Sequence, residues 1–257
     1  MNRIRKAFAS GKAFIPFITC GDPDLETTGK LVRAMAEEGA DLIELGIPFS
    51  DPTSEGPVIQ GADLRALKGG VTTDRILEFV RELRKDVSVP LVFMTYANVV
   101  FSYGTDRFIQ KAAEAGIDGL ILADVPFEER DEFLEVCDRF DLDLIPMIAP
   151  TSRERIRMIA REARGFIYIV SSLGVTGVRS TITTDIGAMV RLIREVSDVP
   201  CAVGFGISTP EQAQKMAASS DGAIVGSAIV RIIEKYGRDS VGPVRKYVRE
   251  MCEAVHA

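Results

Sequence analysis

CAVGFGISTPEQAQKMAASSDGAIVGSA, residues 201–228, holds one complete unit of the fold. Cys201–Gly204 is a short apolar run. Ser208, with Pro210 in the first turn and Glu211 three residues on, reads as a capping box that opens a helix. Gly222–Val225 is a second apolar run, and Gly226-Ser227 heads a further helical stretch, Ala228 to Tyr236. The strands are apolar on both faces, as parallel strands covered on both sides must be.

The same alternation runs through the chain. Further strands are predicted at Phe14–Thr19, Asp41–Leu45, Leu91–Thr95, Gly119–Ala123, Leu142–Ile148 and Phe166–Val170. Between them, apolar residues recur near a 3.6 period: Ile76, Phe79, Val80 and Leu83; Phe133, Leu134, Cys137 and Phe140; Ile156, Ile159, Ala160 and Ala163. Asp24 is placed to cap the first crossover helix, and Gly39 and Gly116 stand where helices should stop. A short helix, Ile4 to Phe8, is expected before the first strand. Eight strands, each followed by a helix, favour a closed α/β barrel, a (β/α)8 TIM barrel, over an open doubly wound sheet. With no linker or low-complexity segment in view, residues 1–257 read as one domain. The long connections Gly46–Leu64 and Ser171–Thr183 follow strands two and six, on the face where barrel active sites lie.

Composition narrows the chemistry. A net charge of -6 argues against a nucleic-acid or anionic-membrane surface. The cysteines, Cys20, Cys137, Cys201 and Cys252, lie far apart and read as reduced thiols of a cytoplasmic protein. Met1–Gly11 is polar and basic, unlike a secretory signal. The single histidine, His256, is penultimate, which disfavours Ser-His, Cys-His and histidine–metal chemistry; no metal site is expected. The predicted strand ends carry no lysine, which disfavours a Schiff-base aldolase.

Two groups of residues remain. Gly174-Val175-Thr176-Gly177, Gly204-Phe205-Gly206 and Gly226-Ser227 follow strands six, seven and eight. Each alone reads equally well as a simple chain turn. Together they fit a phosphate site, where backbone N–H groups and a helix N-terminus meet the anion. Glu44, between Ile43 and Leu45, is a carboxylate in an apolar strand. It is either an acid/base group with a raised pKa or a structural acid tied to a backbone N–H. In the following loop, Asp51 reads as a turn residue. Glu55 reads as a solvated acid or a second catalytic carboxylate. Asp124, beyond strand four, reads as structural or as part of a subunit contact.

Glu44-Leu45-Gly46-Ile47-Pro48-Phe49-Ser50-Asp51-Pro52 and Gly56-Pro57-Val58-Ile59-Gln60 resemble the α subunits of tryptophan synthase. So do Pro16-Phe17-Ile18-Thr19, Gly21-Asp22-Pro23, Met94-Thr95-Tyr96-Ala97-Asn98, Asp124-Val125-Pro126 and the three glycine segments, in the order that family has them. The resemblance implies cleavage of indole-3-glycerol phosphate to indole and glyceraldehyde 3-phosphate, with Glu44 as the acid/base residue. Protonating indole C3 makes an electron sink, so neither lysine nor metal is needed. The family's second catalytic carboxylate is an Asp. Here Glu55 stands in its place and Ser54 where Ala is usual, with Ser54 placed to hold the carboxylate or the loop. By resemblance Tyr168 and Thr176 line the site, and Phe17, Met94, Tyr96 and Phe127 are candidates for the indole pocket. Their alternative is ordinary barrel packing. Gly177, Gly206, Gly226 and Ser227 would bind the phosphate. Arg179 approaches the ligand or is a solvated loop cation.

The resemblance also implies a β-subunit partner in an α2β2 tetramer, carrying the pyridoxal phosphate and receiving the indole. This chain itself would hold no cofactor. Asp51, Pro52 and Pro126 match contact regions. Two rivals stand beside this reading. Indole-glycerol-phosphate synthase and phosphoribosylanthranilate isomerase are phosphate-binding barrels, but the former needs a strand-end lysine. A non-catalytic, phosphate-ligand-binding regulatory subunit is kept open by Glu55.

Overall fold

The computed structural model describes residues 2–171, 185–204 and 206–257. Its parallel strands are β1 (Ala13–Thr19), β2 (Ile43–Gly46), β3 (Leu91–Thr95), β4 (Gly119–Leu122), β5 (Asp143–Leu144), β6 (Met147–Ile148), β7 (Ile167–Val170), β8 (Cys201–Gly204) and β9 (Gly222–Val225). The hydrogen-bonded order is β5-β4-β3-β2-β1-β9-β8-β7-β6. The two ends of that order, β5 and β6, are the halves of the single strand predicted at Leu142–Ile148. Pro146 has no N–H and interrupts the ladder. Ile145 still donates to Leu120 O at 2.9 Å, and Tyr168 N–H donates to Pro146 O at 3.0 Å. One stave therefore bonds β4 with its first half and β7 with its second, and the sheet closes into the eight-fold barrel.

Side-chain parity explains the apolar strands. Ile15, Phe17, Val92, Met94, Phe166, Tyr168, Ala202 and Ile224 fill the barrel interior. Their neighbours Phe14, Ile18, Leu91, Phe93, Ile167, Ile169, Val203 and Ala223 face the helical layer. The N-terminal helix, Arg3–Ala7, plugs the bottom with fully buried Ile4, and Phe8 stacks on Phe166 with ring centroids 5.8 Å apart. At the same face, Asp41, Asp118 and Asp221 each precede a strand and accept from an amide in the first two residues of a neighbouring one. Phe14 N–H donates at 2.8 Å, Leu91 N–H at 2.9 Å and Cys201 N–H at 2.7 Å. His256 lies 2.8 Å from Asp41 and belongs to this structural end.

Asp24 caps helix Leu25–Glu37 as predicted, accepting from Thr27 N–H, and Gly116 ends helix Thr105–Ala115 in a left-handed conformation. The predicted capping box is shifted by one residue. Thr209, not Ser208, is the cap of helix Pro210–Ser219, and its partner is Gln212, not Glu211. Gln212 also accepts from Ser208 N–H at 2.8 Å, so the amide side chain closes the turn that Glu211 was expected to close. The four cysteines are buried and unpaired in disulfides. Among the described residues, no helix is long and apolar enough to cross a membrane.

Candidate active site

The C-terminal strand ends open into a cleft of about 450 Å³, including its mouth. It is lined by Phe17, Glu44, Glu55, Met94, Tyr168, Gly206, Gly226 and Ser227, with Ile59, Ile207 and Ile224 between them. Residues from opposite ends of the sequence thus converge on one space.

Glu44 enters from β2, whose register sets it beside Phe17 of β1 and Val92 of β3. Its inward parity puts the carboxyl in the barrel wall, fully buried. Among the described residues neither carboxyl oxygen has a hydrogen-bond partner. The structural alternative, an acid tied to a backbone N–H, finds no such tie. Burial raises its pKa from 4.5 to about 8, with the charge of Glu55 adding to the rise. Burial thus favours the neutral acid, a form that can give a proton to a ligand in the cleft. A buried carboxyl without a structural partner marks a functional site.

Glu55 is only 6% exposed, so the solvated-acid reading does not describe it. It ends the loop after β2, just before Gly56 opens helix Pro57–Lys68. Gln60 Nε2 donates to Glu55 O at 2.7 Å and fixes the backbone at that point. Ser54 holds the loop. Its N–H donates to the Tyr96 hydroxyl at 3.2 Å and its Oγ to Ala123 O at 3.4 Å. Tyr96 is buried, stacks on Phe49 with centroids 5.4 Å apart, and supports the loop from below.

The opposite end of the cleft is built from backbone. Gly226 and Ser227 stand at the start of the ten-residue helix Ser227–Tyr236, where Gly226 offers no side chain to the leading amides. Gly206 has φ +87°, a conformation that favours glycine. Amides at a helix start beside such a turn suit an anion. Gly204 has a different task. A Cβ there would sit 2.2 Å from the Tyr168 hydroxyl, so this glycine makes room for the ring that forms the cleft wall. Burial and the charges of Glu44 and Glu55 hold the Tyr168 phenol well above its ordinary range, so it stays a neutral O–H.

Other predicted residues fall elsewhere. Phe127 lines a neighbouring cavity with Pro126, Arg130 and Met147, and the Arg130 guanidinium lies 3.9 Å from its ring centroid. Asp51 and Pro126 are exposed and Pro52 half-buried on the same open face. Asp124 accepts from Ala97 N–H at 2.9 Å at the start of helix Ala97–Tyr103, a structural role. Gly174, Val175, Thr176, Gly177, Arg179 and Phe205 lie outside the described residues. Sequence reasoning missed Ile59, Ile207, Ile224 and a further buried acid, Asp63. Strand parity identifies Ile224. The buried positions Ile59, Ala62, Asp63 and Ala66 of helix Pro57–Lys68 reveal that Asp63 lies on its apolar face.

The family profile described as tryptophan synthase alpha chain matches residues 5–256. A tryptophan synthase alpha chain of Lacticaseibacillus casei is 47% identical over 257 residues, covering 100% of this chain and 97% of its own. The crystal structure of a tryptophan synthase alpha chain from Legionella pneumophila subsp. pneumophila has a TM-score of 0.89 at 40% identity, covering 99% of this chain and 97% of that one. An X-ray structure of a tryptophan synthase complex from Pyrococcus furiosus gives 0.85 at 34% identity, covering 95% and 98%.

Proposed function

The chain belongs to the tryptophan synthase alpha chain family, and on that premise we propose which of its residues carry out the cleavage of indole-3-glycerol phosphate to indole and glyceraldehyde 3-phosphate. Glu44 is the acid/base group. As a neutral acid it protonates indole C3, turning the ring into a cationic electron sink. A hydroxyl proton then leaves the glycerol chain to the resulting carboxylate, and the C–C bond breaks. Its electron pair neutralises the ring, and the aldehyde and indole separate. One proton enters at carbon and one leaves from oxygen, so a single carboxyl suffices. Glu55 is the carboxylate that meets the indole N–H and balances the ring's transient charge. Phe17, Met94 and Tyr168 enclose the ring, and Gly206, Gly226 and Ser227 receive the phosphate, with Gly177 and Thr176 assigned to the same loop set by resemblance.

The observation that carries this reading is the fully buried carboxyl of Glu44, without a hydrogen-bond partner among the described residues, in the wall of a cleft whose other end is a helix start. The test is indole release from indole-3-glycerol phosphate by the purified chain, with and without a β subunit. Release that depends on Glu44 is expected, and a chain inactive in both conditions overturns the reading in favour of a regulatory subunit.

The partner is the β subunit, which carries the pyridoxal phosphate of the complex and takes up indole. We place Asp51, Pro52 and Pro126 at that contact, in an α2β2 assembly, and read residues 1–257 as one domain. The continuous sheet and a family match over residues 5–256 support the latter. Four buried free thiols support a cytoplasmic location.

A further inference from the structure

Gly206, Ile207 and Ser208 join the cleft to the outer layer of helices. Gly206 and Ile207 line the backbone-built end of the cleft, with Gly226 and Ser227. Gly206 holds φ +87°, a turn that glycine enters and leaves at little steric cost, so the turn does not fix itself. Ser208 is held at both its backbone groups. Its N–H donates to Gln212 Oε1 at 2.8 Å, from the first turn of helix Pro210–Ser219. Its carbonyl oxygen accepts from the Tyr247 hydroxyl at 2.9 Å.

The bond to Gln212 is local and belongs to the helix cap. The bond to Tyr247 is not. Tyr247 stands in the C-terminal helix, Val241–His256, which packs along Pro210–Ser219. The buried face of that helix is Val244, Val248, Met251, Cys252 and Val255, so its packing does not depend on the hydroxyl. The Tyr247 ring is half-buried against the apolar layer. Burial holds the phenol above its ordinary range, so it keeps its proton and remains a donor.

Resting on the reading of this end of the cleft as the phosphate site, we propose that Tyr247 is a positioning residue for the phosphate. From the outer helix its hydroxyl holds the Ser208 carbonyl, and so sets the Gly206–Ile207 turn against the helix start at Gly226 and Ser227. Tyr247 does not line the cleft, so it acts through Ser208. Without that bond the glycine turn spends less time in the binding geometry, and apparent affinity falls by that fraction. The loss falls on phosphate recognition and not on proton transfer at Glu44, which enters the cleft from β2.

The experiment compares wild type with Tyr247→Phe, which removes one hydroxyl and keeps the ring and its packing. Calorimetry on the folded chain follows glycerol 3-phosphate and, separately, indole, which carries no phosphate. Kd for glycerol 3-phosphate should rise about 5- to 10-fold, the net worth of one hydrogen bond. Kd for indole should change less than about 2-fold. With saturating β subunit, KM for indole-3-glycerol phosphate should rise by a similar factor to that for glycerol 3-phosphate. The value of kcat should stay within about 3-fold, the mark of lost uniform binding.

Unchanged affinity for glycerol 3-phosphate overturns the proposal, even with a lower unfolding midpoint, since that is the behaviour of a packing residue. An equal loss for indole overturns it as well, because the whole cleft would then be distorted. If wild type binds no glycerol 3-phosphate, the phosphate reading fails and this proposal with it. If wild type and Tyr247→Phe bind it equally well, the phosphate reading stands and this proposal alone fails.

Discussion

Replacing Glu44 by glutamine should make the protein more resistant to alkaline pH while disabling it. The side chain keeps its shape and loses its titration. In the folded barrel the carboxyl is raised from 4.5 to about 8, and each tenfold gain in proton affinity is worth about 1.4 kcal/mol. A raised acid binds its proton more tightly folded than unfolded. Its contribution is therefore fully present below about pH 4.5 and is lost as pH rises through about 8. Between pH 5 and pH 9 the wild type should lose about 4 kcal/mol that Glu44→Gln does not lose. With a urea slope of about 3 kcal/mol/M, the gap between their midpoints should widen by more than about 1 M. Both proteins share every other titrating group, so the difference isolates Glu44. A gap constant to within about 1 kcal/mol across that range would mean that Glu44 ionises as freely inside as outside, and the neutral-acid argument would fail. Turnover of the same variant should drop by ~10²–10⁴-fold while phosphate-ligand binding persists.

Glu55→Ala should lose most of the lyase activity measured with saturating β subunit, and Glu55→Asp should retain it. Equal activity of Glu55→Ala and wild type would reduce Glu55 to a packing acid. Gly226→Asp brings a Cβ within 3.1 Å of Phe17 and a negative charge to the helix start. Calorimetry on the folded variant should show no binding of glycerol phosphate, and an unchanged affinity would move the anion site elsewhere. A cognate β subunit should co-elute with the chain and raise its rate of indole release. Failure of both would remove the partner assignment.

Much of this architecture is local in origin and legible in the chain itself. Strands such as Leu91–Thr95 and Cys201–Gly204 are bounded as predicted because both faces are covered, which writes an uninterrupted apolar run into the chain. Asp24 declares a helix start through its own side chain. Glu44 stands out because a carboxyl in such a run demands a reason. The glycines after the late strands mark one end of the cleft, although Gly204 proves to serve the packing of Tyr168.

Tertiary structure decided what depends on neighbours distant in sequence. Pro146 splits one predicted strand because its two halves serve different partners, β4 and β7, and no local signal names those partners. Tyr96 supports the loop and Phe127 turns to another cavity because the direction of each side chain is set by elements packed later in the chain. Whether an acid is solvated, structural or poised depends on who surrounds it. Glu44, Glu55 and Asp63 are the same chemistry in sequence. They become a carboxyl without a partner among the described residues, a cleft carboxylate and a buried acid bonded to Thr19 only when the barrel closes and takes water away from each to a different degree.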